Sequence, residues 1–162
     1  MSPTARRLAS LATAWLVAAC ATAPTARFPR EPVLALLGVG PGDRVAVVGA
    51  RDFAARIGEA VGAAGRVFVI DAAESEPNLP AGELDLVFTS DAALAIADRP
   101  AYYRLLLLAL APRGRLAIVA DEPRSAEVER ELAEAGYERI ASHTLETQQR
   151  LAIFVPDDGT GE

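Results

Sequence analysis

Residues 44–49 read RVAVVG, residues 66–71 read RVFVID, and residues 84–89 read LDLVFT. Each is a short, largely apolar run rich in β-branched residues, which is typical of a strand buried on both faces of a sheet. Strands of this kind form parallel sheets that are covered by helices. The three runs therefore predict the centre of an α/β fold.

Amphipathic patterns between these runs predict helices. Phe53, Ile57 and Val61 recur at i, i+4 and i+8, as on the buried stripe of a helix. Asp52 is the expected N-cap of this helix, and Gly62 is expected to end it.

Two further helices are predicted in the second half of the chain. Asp98 is expected to cap a helix that runs to about Leu110. The leucines at 105–108 make that helix apolar on most sides, so we expect it to be heavily buried. Ser125 is the expected N-cap of the last helix, and Gly136 follows its end.

The remaining elements complete an α/β fold with a sheet of about six strands. They are a lead-in helix at 31–37, a fourth strand at 115–120, and two closing strands at 137–145 and 149–155. A short loop joins the closing strands, so they should be antiparallel. We therefore expect a mostly parallel sheet with helices on both faces.

The composition excludes several chemistries. All 16 basic residues are Arg, and the chain has one His and one Cys. Without Lys there is no Schiff base and no phosphate-loop lysine. One His and one Cys provide neither the usual zinc site nor an internal disulfide. The net charge of −6 argues against a nucleic-acid partner, because phosphate contacts need clustered cations.

The N-terminal residues resemble a bacterial targeting segment. Two arginines precede an apolar run at residues 8–19. As a helix this run would reach about 18 Å, short of a hydrocarbon core of about 30 Å, so it indicates a signal peptide. The sequence VAAC at 17–20 resembles a lipobox, in which the chain is cut before Cys20 and this Cys carries lipid. The alternative is an ordinary signal peptide cut at the A-x-A site at 19–21.

The predicted organisation follows from this segment. Residues 1–19 are the signal peptide, 20–30 a flexible tether, 31–156 the folded domain and 157–162 a disordered tail. Ala21, directly after Cys20, resembles a sorting signal that permits delivery to the outer membrane. We therefore expect a membrane-anchored lipoprotein that faces the periplasm.

The order of the elements in the domain resembles that of class I S-adenosylmethionine-dependent methyltransferases. The resemblance covers residues 31–156 and implies a Rossmann-like fold with S-adenosylmethionine as the cofactor. It also implies the strand order second, first, third, fourth, with the last strand antiparallel and inserted next to the fourth. It is carried by VLALLGVGPGDRVAVVGA at 33–50, GRVFVID at 65–71, LPAGELDLVFTSD at 79–91, DRPAYYRLLLLALAPRGRLAIV at 98–119, ELAEAGYERI at 131–140 and QQRLAIFVP at 148–156.

The loop after the first strand departs from the family pattern. The family normally has an acid and three glycines there, in the order D/E-x-G-x-G-x-G, and here residues 47–52 read VVGARD. Only Gly49 matches, and Val47 stands at the position of the acid. Glycines let the backbone approach the cofactor, whereas Arg51 adds bulk and positive charge near a cofactor that is itself a cation.

A second departure removes part of the expected pocket. Between Asp71 and Leu79 the family normally places its second helix and third strand, but here only AAESEPN intervenes. Both elements are predicted to be deleted. The segment at 92–96, AALAI, also lacks a candidate catalytic base. These departures predict weak or no binding of S-adenosylmethionine.

The resemblance nonetheless assigns five cofactor-site candidates: Gly49, Ala50, Asp71, Ser90 and Asp91. Asp71 follows Gly49 by 22 residues, a spacing that suits an acid accepting hydrogen bonds from ribose hydroxyls. The alternative for Asp71 is a solvated carboxylate at a strand end. Gly49 either approaches a ligand closely or makes a tight strand-to-helix turn. Asp91 would line a cleft at the carboxyl ends of the strands.

Other residues have ordinary structural interpretations. A Ser90–His143–Asp91 triad is conceivable by composition but lacks the G-x-S-x-G elbow, and His143 is expected on an edge strand. Asp85 is expected to make a structural hydrogen bond. Tyr102 and Tyr103, on the third predicted helix, are expected to pack in the core. The arginines at 51, 56 and 66 are expected on a solvated face rather than in a binding patch.

Three functions remain open at this point. The first is a lipid-anchored methyltransferase-like domain that has lost catalysis and serves as a binding or scaffolding module. The second is an active methyltransferase with an atypical cofactor loop. The third is another enzyme that reuses the cleft, for which no motif is present. The methyl acceptor or partner of this chain is not identified by the sequence.

Overall fold

The computed structural model describes residues 28–90 and 95–159, which form four helices and a six-stranded sheet. The predicted signal peptide, most of the predicted tether and Asp91 lie outside these residues. No helix in the described part of the chain is long and apolar enough to cross a bilayer. In chain order the elements are α1 (Arg30–Leu37), β1 (Arg44–Val48), α2 (Arg51–Val61), β2 (Arg66–Ile70), β3 (Leu84–Ser90), α3 (Arg99–Ala109), β4 (Leu110–Asp121), α4 (Glu122–Glu134), β5 (Tyr137–Thr144) and β6 (Gln149–Pro156).

The strand order is β2-β1-β3-β4-β6-β5, which confirms the predicted topology. β1 pairs in parallel with β2 and β3, and β3 pairs in parallel with β4. β6 is antiparallel to both β4 and β5, so it is the strand inserted between them. β4 begins at Leu110, five residues before the predicted start, because Leu110 already pairs with Leu84 across an irregularity.

Each face of the sheet carries its own core. Helices α3 and α4 cover one face through residues such as Leu106 and Leu132, which share a core cluster with Phe154 of β6. Helices α1 and α2 cover the other face, and Phe28 packs there against Phe53, with ring centroids 5.1 Å apart. Phe28 is therefore part of the folded domain, although the sequence placed it in the tether.

Two of the three expected helix caps are wrong. Asp98 caps α3 as predicted, since its side chain accepts a hydrogen bond from Ala101 N at 3.1 Å. Asp52 instead lies inside the first turn of α2, whose N-cap is Ala50. Ser125 is buried within α4 and donates to the carbonyl of Glu122 at 3.2 Å. Both helices begin earlier than expected, because the chain turns directly from the preceding strand.

The expected burial of α3 is also wrong on one side. Tyr102, Tyr103 and Leu106 face the core, but Leu105 and Leu108 are 43% and 69% exposed. A helix packed on a sheet buries one side only, so an apolar sequence does not by itself bury the rest. Leu107 lies between these extremes and packs against the core.

The segment that joins β2 to β3 contains no helix and no strand, which confirms the predicted deletion. It lies instead along α3. Leu79 packs on the core beneath α3. Gly82 N and Glu83 N donate to the carbonyls of Leu108 and Ala109 at 2.9 and 3.0 Å. This connection closes the side of the core next to α3.

Candidate functional site

The carboxyl ends of β2, β1 and β3 place three of the predicted site residues side by side. Val48 of β1 is in register with Ile70 of β2 and with Thr89 of β3. The residues that follow these three positions are Gly49, Asp71 and Ser90. Neighbouring strands lie about 4.8 Å apart, so the three residues lie side by side where the strands end, which we call the carboxyl edge of the sheet. In open α/β sheets this edge is where ligands bind.

Gly49 makes the turn from β1 into α2. Its φ is 70°, a left-handed value that favours glycine, and its N–H donates to the carbonyl of Ile70 at 3.0 Å. Ala50 is buried and forms the N-cap of α2. The tight-turn interpretation of Gly49 is what the structure shows. The turn leaves room for no further glycine loop, since α2 starts at Arg51.

Charged side chains occupy the first turn of α2. Arg51 and Asp52 are both exposed, and Asp52 forms an ion pair with Arg30 at 3.4 Å. Below this turn Val47 is fully buried in the core. The position that holds an acid in the family pattern is therefore apolar and inaccessible in this chain.

Asp71 is exposed at the end of β2. Its Oδ1 accepts a hydrogen bond from Ala73 N at 3.0 Å, and its carbonyl accepts one from Glu74 N at 3.0 Å. This is the local turn typical of Asp after a strand. The contact satisfies one carboxylate oxygen, so the side chain stabilises the loop and remains open to solvent.

Two buried hydroxyls lie close to this edge of the sheet. Ser90 Oγ and Tyr102 OH are both shielded from solvent and have no hydrogen-bond partner among the described residues. Burial, with a smaller contribution from the carboxylate of Glu74, raises the pKa of Tyr102 to about 12. The sequence indicated packing for Tyr102, and its ring does pack in the core. The sequence analysis did not predict that the hydroxyl of Tyr102 would lack a partner. The one indication in the sequence was the presence of Tyr on a leucine-rich helix.

Tyr103 is a second tyrosine in the same core cluster. It is fully buried, and its hydroxyl also lacks a partner in the described part of the chain. Its carbonyl accepts a hydrogen bond from the hydroxyl of Tyr137 at 2.9 Å. Burial raises the pKa of both tyrosines, so their hydroxyls stay protonated at neutral pH.

The conceivable triad is absent. Ser90 is in register with Val119 of β4, Val119 with Leu151 of β6, and Leu151 with His143 of β5. Three strand spacings of about 4.8 Å separate Ser90 from His143, roughly 14 Å in all. His143 lies on the edge strand, as expected, and cannot act as a base for Ser90.

The remaining candidates are structural. Asp85 Oδ2 accepts a hydrogen bond from Arg44 N at 2.8 Å, as predicted. Arg56 pairs with Glu31 and Glu59, which raises its pKa, and Arg66 stacks over the ring of Phe68 at 4.8 Å. These arginines form separate contacts rather than one binding patch. Within residues 28–90 and 95–159, no three His, Cys, Asp or Glu side chains cluster in a way that could hold a metal ion.

No family model and no curated protein sequence matches the chain. Solved structures do resemble it. A SAM-dependent methyltransferase from Aquifex aeolicus superposes with a TM-score of 0.71 at 18% identity, over 78% of this chain and 89% of that one. An S-adenosylmethionine-dependent methyltransferase from Mesorhizobium loti gives 0.56 at 13% identity, over 76% and 95%.

A TehB-like SAM-dependent methyltransferase from Corynebacterium glutamicum gives a TM-score of 0.55 at 12% identity, over 80% of this chain and 88% of that one. At these identities the likeness concerns the fold. The chain therefore has the Rossmann-like fold of the S-adenosylmethionine-dependent methyltransferases, without a helix or strand between β2 and β3.

Proposed function

We propose that this chain is a membrane-tethered, methyltransferase-fold protein that does not transfer methyl groups and serves as a binding module. The observation that carries the proposal is the direct connection from β2 to β3. Residues 71–83 form a loop whose last residues, Gly82 and Glu83, bond to the final carbonyls of α3, where the resemblance places a helix and a strand that would wall a cofactor pocket.

The residues at the strand ends fit S-adenosylmethionine poorly. Val47 offers no carboxylate, and Arg51 stands where the family pattern has its second glycine. The sulfonium of S-adenosylmethionine is a cation, so Arg51 on the adjoining turn would repel it. Asp71 alone keeps a group that suits the cofactor, and one of its oxygens already serves the local turn. We therefore derive no methyl-transfer step for this site.

The tether is the second part of the proposal. A lipid on Cys20 would be joined to Phe28 by eight residue steps, which can reach at most about 26–29 Å. Phe28 contacts Phe53 in the first turn of α2 and lies 5.4 Å from the ring of Phe88. A chain anchored in this way would hold the carboxyl edge of the sheet close to the membrane. Outside the inner membrane it would also be separated from the cytoplasmic supply of S-adenosylmethionine.

Calorimetry tests the binding-module proposal. The chain, purified as a diderm bacterium processes it, is titrated with S-adenosylmethionine and with its demethylated product. We expect no binding in the micromolar range. Micromolar binding that Asp71→Ala abolishes, and that the matched surface variant Asp85→Ala leaves intact, would overturn the proposal.

Fractionation tests the tether. Wild-type protein should partition with membranes, Cys20→Ser should not, and mass spectrometry of the mature N-terminus should find acyl chains on Cys20. If wild type and Cys20→Ser partition alike, lipid anchoring through Cys20 is refuted.

An active methyltransferase with an atypical loop is the second candidate. It is favoured by the exposed Asp71 beside Gly49 and by the unpartnered buried hydroxyl of Ser90. The same titration decides between the two candidates, because methyl transfer requires binding of the cofactor.

A further inference from the structure

The two edges of the sheet differ in how they are protected. β5, at one edge, carries Glu138 and Arg139 and has an irregular register between Arg139 and Ala141. Charges and bulges of this kind keep an edge strand from pairing with other chains. β2, at the other edge, reads RVFVI and pairs with β1 in continuous register without a bulge or a proline. Apart from Arg66 at its start, β2 lacks the charges and the bulge that protect β5, so its edge is open to pairing with another strand.

The hydrogen bonds of β2 show which backbone groups are free to pair. Arg66 N donates to Asp43 O, and Ile70 O accepts from Gly49 N, so both residues point toward β1. Backbone groups alternate in direction along a strand, so those of Val67 and Val69 point outward. No described strand pairs with this side of β2. The edge therefore presents two N–H groups and two carbonyls, and Val69 is 49% exposed.

We infer that this edge pairs with β2 of a second copy of the chain, antiparallel and centred on Phe68. In that register Val67 of one copy faces Val69 of the other. Val67 of one copy and Val69 of the other then exchange two backbone hydrogen bonds, N–H to carbonyl in each direction. The two N–H groups and two carbonyls that point outward from each copy are all paired in this way. Phe68 of each copy then faces Phe68 of the other as the closely spaced, non-hydrogen-bonded pair.

Charge favours this orientation. β2 begins with Arg66, and Asp71 follows its end, and both side chains are exposed. In this antiparallel register Arg66 of each copy faces Ile70 of the other, one residue before Asp71, so Arg66 of one copy is kept at the opposite end of the interface from Arg66 of the other. A parallel, in-register pair would place like charges beside each other.

Helix α2 leaves room for the second copy. It packs over β1 and β2, so two paired sheets would place the two α2 axes about 10 Å apart. Helices pack at 8–10 Å when the contacting side chains are small. The flank of α2 opposite the Arg56–Glu31 ion pair carries Gly58, a mid-helix glycine. A Cβ there would meet only Val67 Cγ2, at an ordinary 4.0 Å, so packing within one chain does not require glycine.

Single-cysteine crosslinking tests the register. In a Cys20→Ser background, Phe68→Cys, Val67→Cys, Val69→Cys and the opposite-edge control Ile140→Cys are oxidised as full-length purified proteins. Centring on Phe68 places the two Cα atoms of position 68 about 4.5 Å apart, within disulfide range, and those of position 67, like those of position 69, roughly 9 Å apart, outside it. We expect a crosslinked dimer from Phe68→Cys in several-fold excess over the other three. Equal or greater crosslinking at 140, 67 or 69 would overturn the inference.

Sedimentation provides a test that leaves Phe68 in place. The interface is small, so association should be weak and the sedimentation coefficient should rise with protein concentration. Val69→Lys should abolish this rise, and the exposed control Ile140→Lys should not. Circular dichroism verifies that both variants fold. A wild-type chain that stays monomeric up to its solubility limit would overturn the inference in favour of a strand from another protein or no partner.

Discussion

Replacing Tyr102 by Phe tests whether the buried hydroxyl near the candidate site is unsatisfied. The ring of Tyr102 is 2% exposed, and its hydroxyl has no partner among the described residues. Tyr137 offers a matched control in the same core, because its buried hydroxyl donates to the carbonyl of Tyr103 at 2.9 Å. The same substitution at 102 and 137 therefore removes an unpaired and a paired hydroxyl.

The two substitutions should change stability in opposite directions. A buried polar group without a partner costs about 1–3 kcal/mol, so Tyr102→Phe should stabilise the fold by up to that amount, less a small void. Tyr137→Phe removes a net hydrogen bond and should destabilise the fold by about 0.5–1.5 kcal/mol. For a domain of this size, 1 kcal/mol corresponds to about 4 °C in melting temperature.

Alkaline pH provides a second measure of the same group. The pKa of Tyr102 is raised from 10.0 to about 12, since burial disfavours the phenolate. When the pKa of a group is higher in the folded than in the unfolded protein, its contribution to stability is fully present below the pKa of the unfolded state. That contribution is lost as the pH rises from there to the pKa of the folded state. Between about pH 10 and 12 wild type should lose on the order of 1–3 kcal/mol through Tyr102, a loss that Tyr102→Phe should not show.

Urea unfolding followed by circular dichroism, at neutral pH and through the alkaline range, measures these effects. The reasoning fails if Tyr102→Phe destabilises the protein as much as Tyr137→Phe does. That result would mean that the Tyr102 hydroxyl has a strong partner, such as a bound water or a ligand. A stabilised Tyr102→Phe would show that the hydroxyl is kept at a cost in stability, as expected for a group that meets a ligand.

Four substitutions test the backbone and the caps. Gly58→Ala should stabilise the chain by about 0.5–1 kcal/mol in urea, because helix propensity rises and the added Cβ has space; a loss of stability would contradict this. Gly114→Ala should destabilise it by about 2 kcal/mol or more, since its Cβ would overlap the carbonyl oxygen of Leu84; an unchanged unfolding midpoint would refute that close approach. Asp98→Ala should cost about 0.5–2 kcal/mol through the lost cap, whereas Asp52→Ala, which caps nothing, should cost less, and equal losses would remove the distinction.

Much of the fold could be read from local patterns. A strand buried on both faces must be apolar along its whole length, so RVAVVG predicted the buried strand β1 without tertiary information. RVFVID also predicted a strand, but its expected burial on both faces is wrong, because β2 lies at the edge of the sheet and leaves Val69 49% exposed. Strand order followed from the resemblance, and the missing helix and strand followed from the short distance between Asp71 and Leu79. Asp98 was a reliable cap because a proline after it fixes where the helix begins.

Features that depend on contacts between residues far apart in the sequence were decided by the tertiary structure. Periodicity shows that a helix is apolar but not which side meets the sheet, and so Leu105 and Leu108 were expected inside although they face outward. The position of a cap depends on where the preceding strand ends, and so the observed N-caps Ala50 and Asp121 lie before the predicted Asp52 and Ser125. The candidate edge needed both sources: the sequence singled out Gly49, Asp71 and Ser90, and their proximity exists only because parallel strands align their carboxyl ends. Two findings depend on what surrounds a group in three dimensions: the buried hydroxyls without a partner and the unpaired outer side of β2. No single stretch of sequence specifies those surroundings.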